Sequence, residues 1–182
     1  QKIRVISLLG GISQAKRFNP AEFAWQFAEL FNGEGYLVPA PALVDSAETK
    51  HALLERCGIN QIFELADNLD VAFLSAGGIE GITTSYRLGH VSEADRQSLI
   101  AAGAVGDLLY NFISEDGDLV DHNVNTRVIS IGIDQLKNAK DRILISGGKE
   151  KVKVLLGCLR LVKPTVFITD EFTAKTIPLS GS

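Results

Sequence analysis

Two glycines and a lysine follow an apolar segment of the chain at residues 146–151, which read SerGlyGlyLysGluLys. A helix is expected to begin at Glu150, directly after them. Backbone amides at a helix N-terminus attract anions, and glycines let a ligand come close to the backbone. With a nearby lysine, this turn could form a site for a phosphate or a carboxylate. A tight turn followed by a charged, solvated first helical turn is the alternative.

An aspartate ends a second glycine turn, GlyAlaValGlyAsp at residues 103–107, just before an apolar segment. A carboxylate in such a position can accept two hydrogen bonds from hydroxyl groups, which is the usual way of holding a sugar diol. The pattern therefore predicts that Asp107 recognises a hydroxylated ligand. An aspartate that only caps the turn explains the residue about as well.

Two further turns place glycines after apolar segments, at Gly10 and Gly11 and at residues 76–78. Each could present backbone amides to a ligand. Neither contains the GxGxxG fingerprint, and no P-loop lysine follows, which disfavours nucleotide binding of those kinds. Asp170, with Glu171 directly after it, is interpreted chiefly as the N-cap of a helix.

The sequence contains no clear pair of base and nucleophile. It lacks a GxSxG elbow, and Cys57 and Cys158 fall in helical patterns about a hundred residues apart, as expected of reduced core thiols. His51, His90 and His122 lack the spacing of metal ligands. We therefore expect no metal, no cofactor and no enzymatic activity, and an enzyme is the alternative hypothesis.

Four β-branched apolar segments, which lead to these turns, lack the alternation of a half-exposed strand. They predict strands that are buried on both faces of a parallel sheet, with a ligand crevice beyond the strand ends. A further strand is expected over 106–113, followed by a hairpin-type turn at 114–118, and residues 77–91 are expected to form a long loop.

Helical patterns alternate with these strands. The first follows Asn19 and Pro20, a cap and a first-turn proline, and carries Phe23, Phe27, Leu30 and Phe31 at helical spacing. Others follow Ser46, Ser92, Asp134 and Glu150. Alternating strands and helices predict an α/β class: a three-layer α/β/α Rossmann-like sandwich with a mainly parallel sheet, formed by residues 1–182 as one domain.

Composition narrows the classes of function. The 182 residues are 46% hydrophobic, and the net charge of −4 argues against a protein that binds nucleic acid by itself. No apolar stretch is long enough for a membrane span or a signal peptide, so we expect a cytoplasmic protein. The chain has no methionine and opens directly on a strand, which suggests a fragment of a longer polypeptide.

In combination, the turns resemble the effector-binding domain of SorC-type bacterial transcription regulators. The order and spacing of six segments carry the resemblance and cover nearly the whole chain: ValIleSerLeuLeuGlyGly at 5–11, ValProAlaPro at 38–41, AspValAlaPheLeuSerAlaGlyGly at 70–78, GlyAlaValGlyAsp at 103–107, SerGlyGlyLysGluLys at 146–151 and IleThrAspGluPheThrAla at 168–174. The resemblance implies a fold similar to the ribose-phosphate isomerase and glucosamine-phosphate deaminase group.

The resemblance also implies roles for residues near the two most specific turns. Asp107 matches the acidic residue that this family directs at effector hydroxyls. Lys151 matches the lysine after the paired glycines, which include Gly148, and this lysine helps to hold the anionic or carbonyl end of the effector.

Two other loops match effector-binding loops of the family. Gly10, Gly11 and the helix-opening Asn19 match one of them, and Ala76 and Gly77 match the loop after the central strand. That second loop reads SerAlaGly here, where GlyIleGly is commoner. The helix-turn-helix and the phosphate-binding loop of the family lie upstream of the strand that opens this chain.

The resulting hypothesis is a domain that senses a phosphorylated sugar or a related carbohydrate metabolite. It would pass the signal to operator DNA through a helix-turn-helix outside this sequence, as a homodimer or homotetramer without membrane contact. An enzyme of the isomerase or deaminase group is the alternative, with Asp107 or an acid in the 77–91 loop moving a proton beside a carbonyl. A third reading, a plain α/β interaction module, predicts no small ligand.

Overall fold

The computed structural model describes residues 2–12, 19–80 and 91–178. The chain divides into two compact units. The first unit comprises residues 1–69 and 126–138, and the second comprises residues 70–125 and 139–182. The single domain expected over residues 1–182 stays a prediction.

The first unit contains a parallel βαβ element. Strands β1 (Arg4–Ile6) and β2 (Glu34–Tyr36) pair in parallel, and helix α1 (Pro20–Leu30) lies between them in the sequence. The helix begins directly after Asn19, whose carbonyl accepts the N–H of Phe23 at 3.0 Å. The predicted start of this helix is therefore confirmed.

The buried side of α1 differs from the one that its aromatic spacing suggests. Ala24 and Ala28 are buried, whereas Phe23, Leu30 and Phe31 are exposed. A Cβ atom at Gly35 of β2 would lie 3.4 Å from the Cα of Trp25, so the absence of a side chain there lets α1 pack closely through small residues. This close approach turns the large aromatic residues outward.

The rest of the first unit consists mainly of short helices. Helix α2 starts at the predicted cap, where Ser46 Oγ accepts the N–H of Thr49 at 3.1 Å. Gln135 donates to the carbonyl of Phe63 at 3.0 Å and so joins two of the later helices. The bounds are α2 (Ala47–Arg56), α3 (Ile59–Glu64), a 3-10 turn (Leu65–Asn68) and, near the end of the unit, α6 (Ile133–Asn138).

The second unit contains a parallel sheet of three strands. Strand β7 (Asp141–Ile145) lies between β3 (Val71–Leu74) and β8 (Val166–Ile168). Helix α7 (Val152–Val162) connects β7 to β8 and buries Val154, Leu155, Cys158 and Val162. The parallel pairing predicted for these segments is confirmed.

One face of this sheet is exposed, so the prediction that its strands are buried on both faces is wrong. In β3, Ala72 and Leu74 are buried, while Val71 and Phe73 are exposed. Side chains alternate between the two faces of a strand, so each face has its own environment. The sequence hides this alternation because the exposed face is as apolar as the buried one.

A second sheet of this unit is antiparallel, with strand order β4 (Ala76–Gly78), β5 (Gly106–Leu108) and β6 (Asn111–Ile113). The single strand predicted over 106–113 is therefore wrong. Leu109 and Tyr110 have φ values of 52° and 62°, which is the backbone of a tight two-residue hairpin turn. Asp107 accepts the N–H of Tyr110 at 2.9 Å and stabilises this turn.

Other predicted features of the second unit are partly confirmed. The turn at 114–118 closes with a hydrogen bond from the N–H of Ser114 to the carbonyl of Asp118. The loop expected over 77–91 begins instead with strand β4, and residues 81–90 of it lie outside the described residues. Helices α4 (Glu93–Ala101) and α8 (Glu171–Thr176) and a 3-10 turn (Lys149–Lys151) belong to this unit. The short helix α5 (Asn123–Thr126) begins in this unit and ends at the first residue of the next segment of the first unit.

Candidate functional site

Strand β4 runs beside Asp107, the residue with the most specific predicted role. Gly77 and Asp107 are direct partners in the antiparallel pairing of β4 and β5. A Cβ atom at Gly77 would collide with the carboxylate of Asp107, so glycine is the residue that leaves room for it. The structure therefore brings together two of the predicted site residues and gives a steric reason for the glycine.

The carboxyl group of Asp107 is buried, with 7% of the residue exposed. Burial raises its pKa to about 7, although the N–H of Tyr110 and the positive charge of Lys151 both act to lower it. The group therefore changes its charge close to neutral pH. One carboxylate oxygen accepts the Tyr110 N–H, and further acceptor positions on the group can bind hydroxyls.

The charge of Asp107 also affects its buried neighbours. Burial, and then the nearby Asp107 charge, raise the pKa of the Cys158 thiol to about 12. The same two causes raise the pKa of Tyr110 above its usual value. Cys158 is therefore held in its neutral form and is a poor nucleophile, as expected of a core thiol. Cys57 is exposed, so the prediction that it is a core thiol is wrong.

Lys151 stands at the N-cap position of α7, beside β4. Its N–H donates to the carbonyl of Gly148 at 2.9 Å, which closes the turn after β7. A Cβ atom at Gly78 would lie 3.1 Å from the carbonyl oxygen of Glu150 and 3.8 Å from Cγ of Lys151, so β4 packs directly on this turn. The predicted lysine therefore lies next to the strand that carries Gly77.

The turn after β7 is attached to the start of α8 through Asp170. The N–H of Gly148 donates to Asp170 Oδ2 at 2.7 Å and to Thr173 Oγ1 at 3.0 Å. Asp170 Oδ1 also accepts the N–H of Thr173 at 2.9 Å, which confirms the predicted helix cap. Asp170 accepts hydrogen bonds from the Thr173 N–H, from the Thr173 hydroxyl and from the Gly148 N–H, and these bonds, in that order, keep its pKa below the usual value.

Asp170 therefore has a second role that sequence reasoning missed. Its carboxylate binds the amide of Gly148, which was predicted to contact the effector. A Cβ atom at Gly147 would collide with the same carboxylate, which gives a reason for the paired glycines. The order of ThrAspGlu after a β-strand signals a cap, but no local pattern shows that the cap also reaches a loop 22 residues earlier.

Ser146 is a further residue that the sequence did not single out. It is buried, and its Oγ donates to the carbonyl of Ala76 at 3.3 Å. This hydrogen bond joins the end of β7 to the start of β4. Ala76, Gly77, Asp107, Gly148 and Lys151, five of the eight predicted residues, therefore belong to one connected part of the second unit.

The other three predicted residues form a group in the first unit. The N–H groups of Gly10 and Gly11 donate to the carbonyls of Ile129 at 2.9 Å and Ala40 at 2.7 Å. Both amides thus have protein acceptors. A Cβ atom at Gly11 would lie 3.7 Å from the side-chain oxygen of Asn19, so Gly11 and Asn19 are neighbours. An effector role for this group stays a prediction.

The described residues contain neither a cluster of metal ligands nor a membrane-spanning helix. Within ranges 2–12, 19–80 and 91–178, no His, Cys, Asp and Glu side chains are grouped as metal ligands. No helix in the same ranges has the length and apolar character needed to cross a bilayer.

Comparison with known proteins identifies the family. A family model described as "Putative sugar-binding domain" matches residues 1–178. The deoxyribonucleoside regulator of Bacillus subtilis is 28% identical over 176 residues, which are 96% of this chain and 56% of that protein. The chain thus spans about half the length of this curated relative.

Solved structures show the same fold. The full-length sorbitol operon regulator SorC of Klebsiella pneumoniae matches with a TM-score of 0.88 and 25% identity, over 97% of this chain and 57% of that one. A sugar-binding domain of a Vibrio fischeri transcriptional repressor matches with a TM-score of 0.85 and 22% identity, over 97% and 70%. With the strand pairing above, this likeness confirms the predicted α/β, Rossmann-like fold with mainly parallel sheets. The chain belongs to the sugar-binding domain family of these regulators, as its resemblance to the SorC type predicted.

Proposed function

We propose that this chain is the ligand-sensing domain of a sugar-responsive, DNA-binding transcription regulator. Membership of the sugar-binding domain family supports the ligand class, and the names of the relatives support the regulatory role. The observation that carries the proposal within this chain is the buried carboxyl group of Asp107. It lies opposite Gly77, and the positive charge of Lys151 interacts with it electrostatically.

This arrangement is suited to a polyhydroxylated ligand. A carboxylate has about four acceptor positions, and the protein fills one of those on Asp107 with the Tyr110 N–H. Hydroxyl groups of a sugar or polyol can donate to the remaining positions. A buried carboxylate gains most from such donors, because hydrogen bonds to charged groups are the stronger ones.

Lys151 supplies a cation for the other end of the ligand. An ammonium group attracts a phosphate as a point charge and can also donate to a carbonyl or hydroxyl oxygen. We therefore propose a phosphorylated sugar or a related carbohydrate metabolite as the effector. The relatives are named for deoxyribonucleosides and for sorbitol, both of which carry hydroxyl groups, and this supports the class without selecting a member of it.

Signalling requires that the effector bind one conformation more tightly than another. The difference in binding free energy then shifts the population of the two conformations. Operator DNA would be bound by a helix-turn-helix outside this sequence, in a cytoplasmic homodimer or homotetramer. The negative net charge of the chain agrees with DNA contacts that lie elsewhere.

An isomerase-like or deaminase-like enzyme is the second candidate. The pKa of about 7 for Asp107 favours it, because a general base works best when its pKa is near the working pH. The regulator names of the relatives support a non-catalytic role instead. Turnover of a bound sugar phosphate would favour the enzyme, and binding without turnover would favour the sensor.

Titration calorimetry tests the proposal on the complete polypeptide that carries this chain. The probes are deoxyribonucleosides, erythritol, sorbitol and their phosphate esters. Asp107→Asn keeps an acceptor for the Tyr110 N–H but removes the charge. We expect it to weaken binding of the best probe by about 10-fold to 100-fold, as for loss of a hydrogen bond to a charged group. Asp121→Asn, at an exposed position, is the matched control.

A second pair of variants tests the cation. Lys151→Met should lower the affinity for the phosphate ester more than for the free polyol, whereas Lys149→Met, at the exposed residue two positions earlier, should change neither. Unchanged affinity of Asp107→Asn for every probe that binds the unmodified protein would overturn the assignment of this site.

A further inference from the structure

The side chain of Asn125 holds the backbone of strand β6 through three hydrogen bonds. Its Oδ1 accepts the N–H of Phe112 at 2.8 Å, and its Nδ2 donates to the carbonyl of Phe112 at 2.9 Å and to the carbonyl of Val120 at 2.7 Å. The N–H of Val120 also donates to the Phe112 carbonyl, at 3.0 Å. An amide that lies 13 residues further along the chain therefore binds both polar groups of the Phe112 backbone.

These hydrogen bonds lie on the outer edge of the antiparallel sheet, because the strand order β4, β5, β6 ends at β6. An edge strand presents a row of N–H and carbonyl groups that no neighbouring strand of its sheet binds. At Phe112 the Asn125 amide takes the place of such a strand, since it offers a donor and an acceptor side by side. The amide therefore covers the edge at this one residue pair.

The residue type at position 125 matches this task. The three hydrogen bonds need one acceptor and two donors from a single side chain. A carboxylate has no donor, and a hydroxyl group has one donor on a shorter side chain. Asparagine supplies all three groups in one plane, so its identity is tied to the edge that it covers.

Phe112 is the direct partner of Asp107 in the pairing of β5 and β6. Its N–H and carbonyl bind Asn125 and Val120, so they point away from β5, and the Asp107 pair is of the kind without mutual hydrogen bonds. The Cβ atoms of directly opposite residues lie about 4.5–5.5 Å apart, and closest in pairs of this kind. At this point β6 is therefore held from its outer side by Asn125, and not by β5.

The Phe112 side chain contributes to the burial of the candidate site. Phe112 is 1% exposed, and Asp107 is 7% exposed. Gly77, the partner of Asp107 on the other side, has no side chain that could shield the carboxyl group from water. An outward displacement of β6 at Phe112 would therefore admit water to the carboxyl group.

The ionisable groups around Asp107 come from two other elements. Tyr110 belongs to the hairpin turn, and Cys158 and Lys151 belong to α7 and its N-cap. Burial is the main cause that raises the pKa of Asp107 to about 7, against the opposing effects of the Tyr110 N–H and the Lys151 charge. Any residue that maintains this burial therefore also controls the charge of the carboxyl group.

The turn that carries Asn125 is itself held in place. The N–H of Asn125 donates to the carbonyl of His122 at 3.0 Å, and the N–H of Val124 donates to His122 Nδ1 at 3.1 Å. The other ring nitrogen, Nε2, lies 2.9 Å from Ser98 Oγ in α4. These contacts join α5 to α4 and fix the direction from which the amide reaches β6, as is usual for a residue that supports a binding site.

We propose that Asn125 is a positioning residue of the candidate site: its amide fixes the β6 backbone at Phe112 and so keeps the Asp107 carboxyl group buried and directed at the hydroxyl groups of the ligand. This inference deepens the proposed function and rests on the role proposed there for Asp107. Asn125 acts through β6 and does not itself contact the ligand.

Carbon-13 NMR of the complete polypeptide tests the effect on the carboxyl group without any ligand. The Asp107 signal is assigned by its absence from Asp107→Asn. Asn125→Ala removes all three hydrogen bonds, and Asn125→Ser, which keeps one hydroxyl group, is the milder change. In both variants, water that reaches the carboxyl group should lower its pKa from about 7 to below about 6. Asn138→Ala, at an exposed position, is the matched control and should leave the pKa unchanged.

A double-mutant cycle tests the effect on binding. Titration calorimetry with deoxyribonucleosides, erythritol, sorbitol and their phosphate esters gives the affinities. Asn125→Ala should weaken binding of the best probe by about tenfold when Asp107 is present, as for loss of one hydrogen bond to a charged group. In the Asp107→Asn background the same substitution should weaken binding by less than about twofold, because the group that Asn125 positions has lost its charge.

A lower pKa of Asp107 together with coupled losses of affinity supports the proposal. An unchanged pKa in Asn125 variants that unfold cooperatively overturns it, and so do equal losses of affinity in the two backgrounds, which are expected of a residue that contributes only to stability. Loss of cooperative unfolding in both Asn125 variants shows a role in folding alone and also overturns it. If no probe binds the unmodified protein, the proposed function fails for these ligands, whereas the NMR titration still decides the role of Asn125.

Discussion

Replacing Asp107 by asparagine should change how the stability of the protein depends on pH. The carboxyl group titrates at about 7 in the folded protein, against 3.8 for the unperturbed group. Between these two pH values the folded state keeps a proton that the unfolded state releases. The free energy of unfolding therefore decreases as the pH rises from about 4 to about 7, and this contribution stays constant above pH 7.

The magnitude follows from the difference between the two pKa values. A difference of about 3 pKa units corresponds to about 4 kcal/mol, at about 1.4 kcal/mol per unit. The ionised side chain therefore lowers the stability at pH 8 by up to this amount. Asp107→Asn removes the ionisation and keeps an oxygen for the Tyr110 N–H, so the variant should be more stable than the unmodified protein at pH 8.

Denaturant unfolding at pH 4.5, 6 and 8 measures this effect. The unmodified protein should lose stability across this series relative to Asp107→Asn, and the difference between them should grow with pH. The exposed Asp121→Asn variant should follow the unmodified protein at each pH. Parallel curves for the unmodified protein and Asp107→Asn would refute the argument that burial governs this carboxyl group.

Two further substitutions test the contacts around the site. Gly77→Ala should lower the free energy of unfolding by about 1–3 kcal/mol, because the added Cβ atom meets the Asp107 carboxylate. Asp107→Ala in the same chain should recover part of this loss. If denaturant unfolding shows that the two losses simply add, the steric contact is contradicted. Asp170→Ala should lower the free energy of unfolding by about 1 kcal/mol, because it removes the α8 cap, and should speed hydrogen exchange at the Gly148 amide. Glu171→Ala is the control and should leave this exchange rate unchanged. An unchanged exchange rate at Gly148 in Asp170→Ala would contradict the attachment of the two loops.

Features that depend on neighbouring residues could be predicted from the sequence. The helix starts after Asn19, Ser46 and Asp170 are examples, because a cap depends on side chains and amides within a few residues. The strands that lead to the glycine turns were also predictable, since apolar β-branched runs favour strands. The link between Asp170 and Gly148 was not, because it joins loops that are distant in the sequence.

The hairpin turn at Leu109 and Tyr110 had no local signal. Residues with positive φ are normally glycine or asparagine, and neither residue type is present at these positions. The side chains on both sides stabilise the turn instead, with Asp107 accepting the N–H of Tyr110 and Asn111 donating to the carbonyl of Leu109. A strand pattern of apolar residues therefore continued through a turn without interruption.

Exposure was the least predictable property. Phe23 of α1 points outward because Gly35 in the adjacent strand admits alanines, and the exposed face of the sheet formed by β3, β7 and β8 is as apolar as its buried face. Hydrophobic periodicity records which residues could be buried. Which of two apolar faces is buried depends on the partner that packs against it.

The hydrogen bond from Gly148 to Asp170 means that the Asp170 carboxylate would compete with any anion for the Gly148 amide. An anion that binds the Gly148 amide must first displace a carboxylate that is tethered to the same molecule. Its apparent dissociation constant is then the intrinsic value divided by the fraction of molecules in which this amide is free. An anion that makes only this one contact is therefore expected to bind weakly. A ligand that also binds elsewhere in the protein can recover the cost of displacement, so this hydrogen bond sets a threshold that favours ligands with several points of attachment.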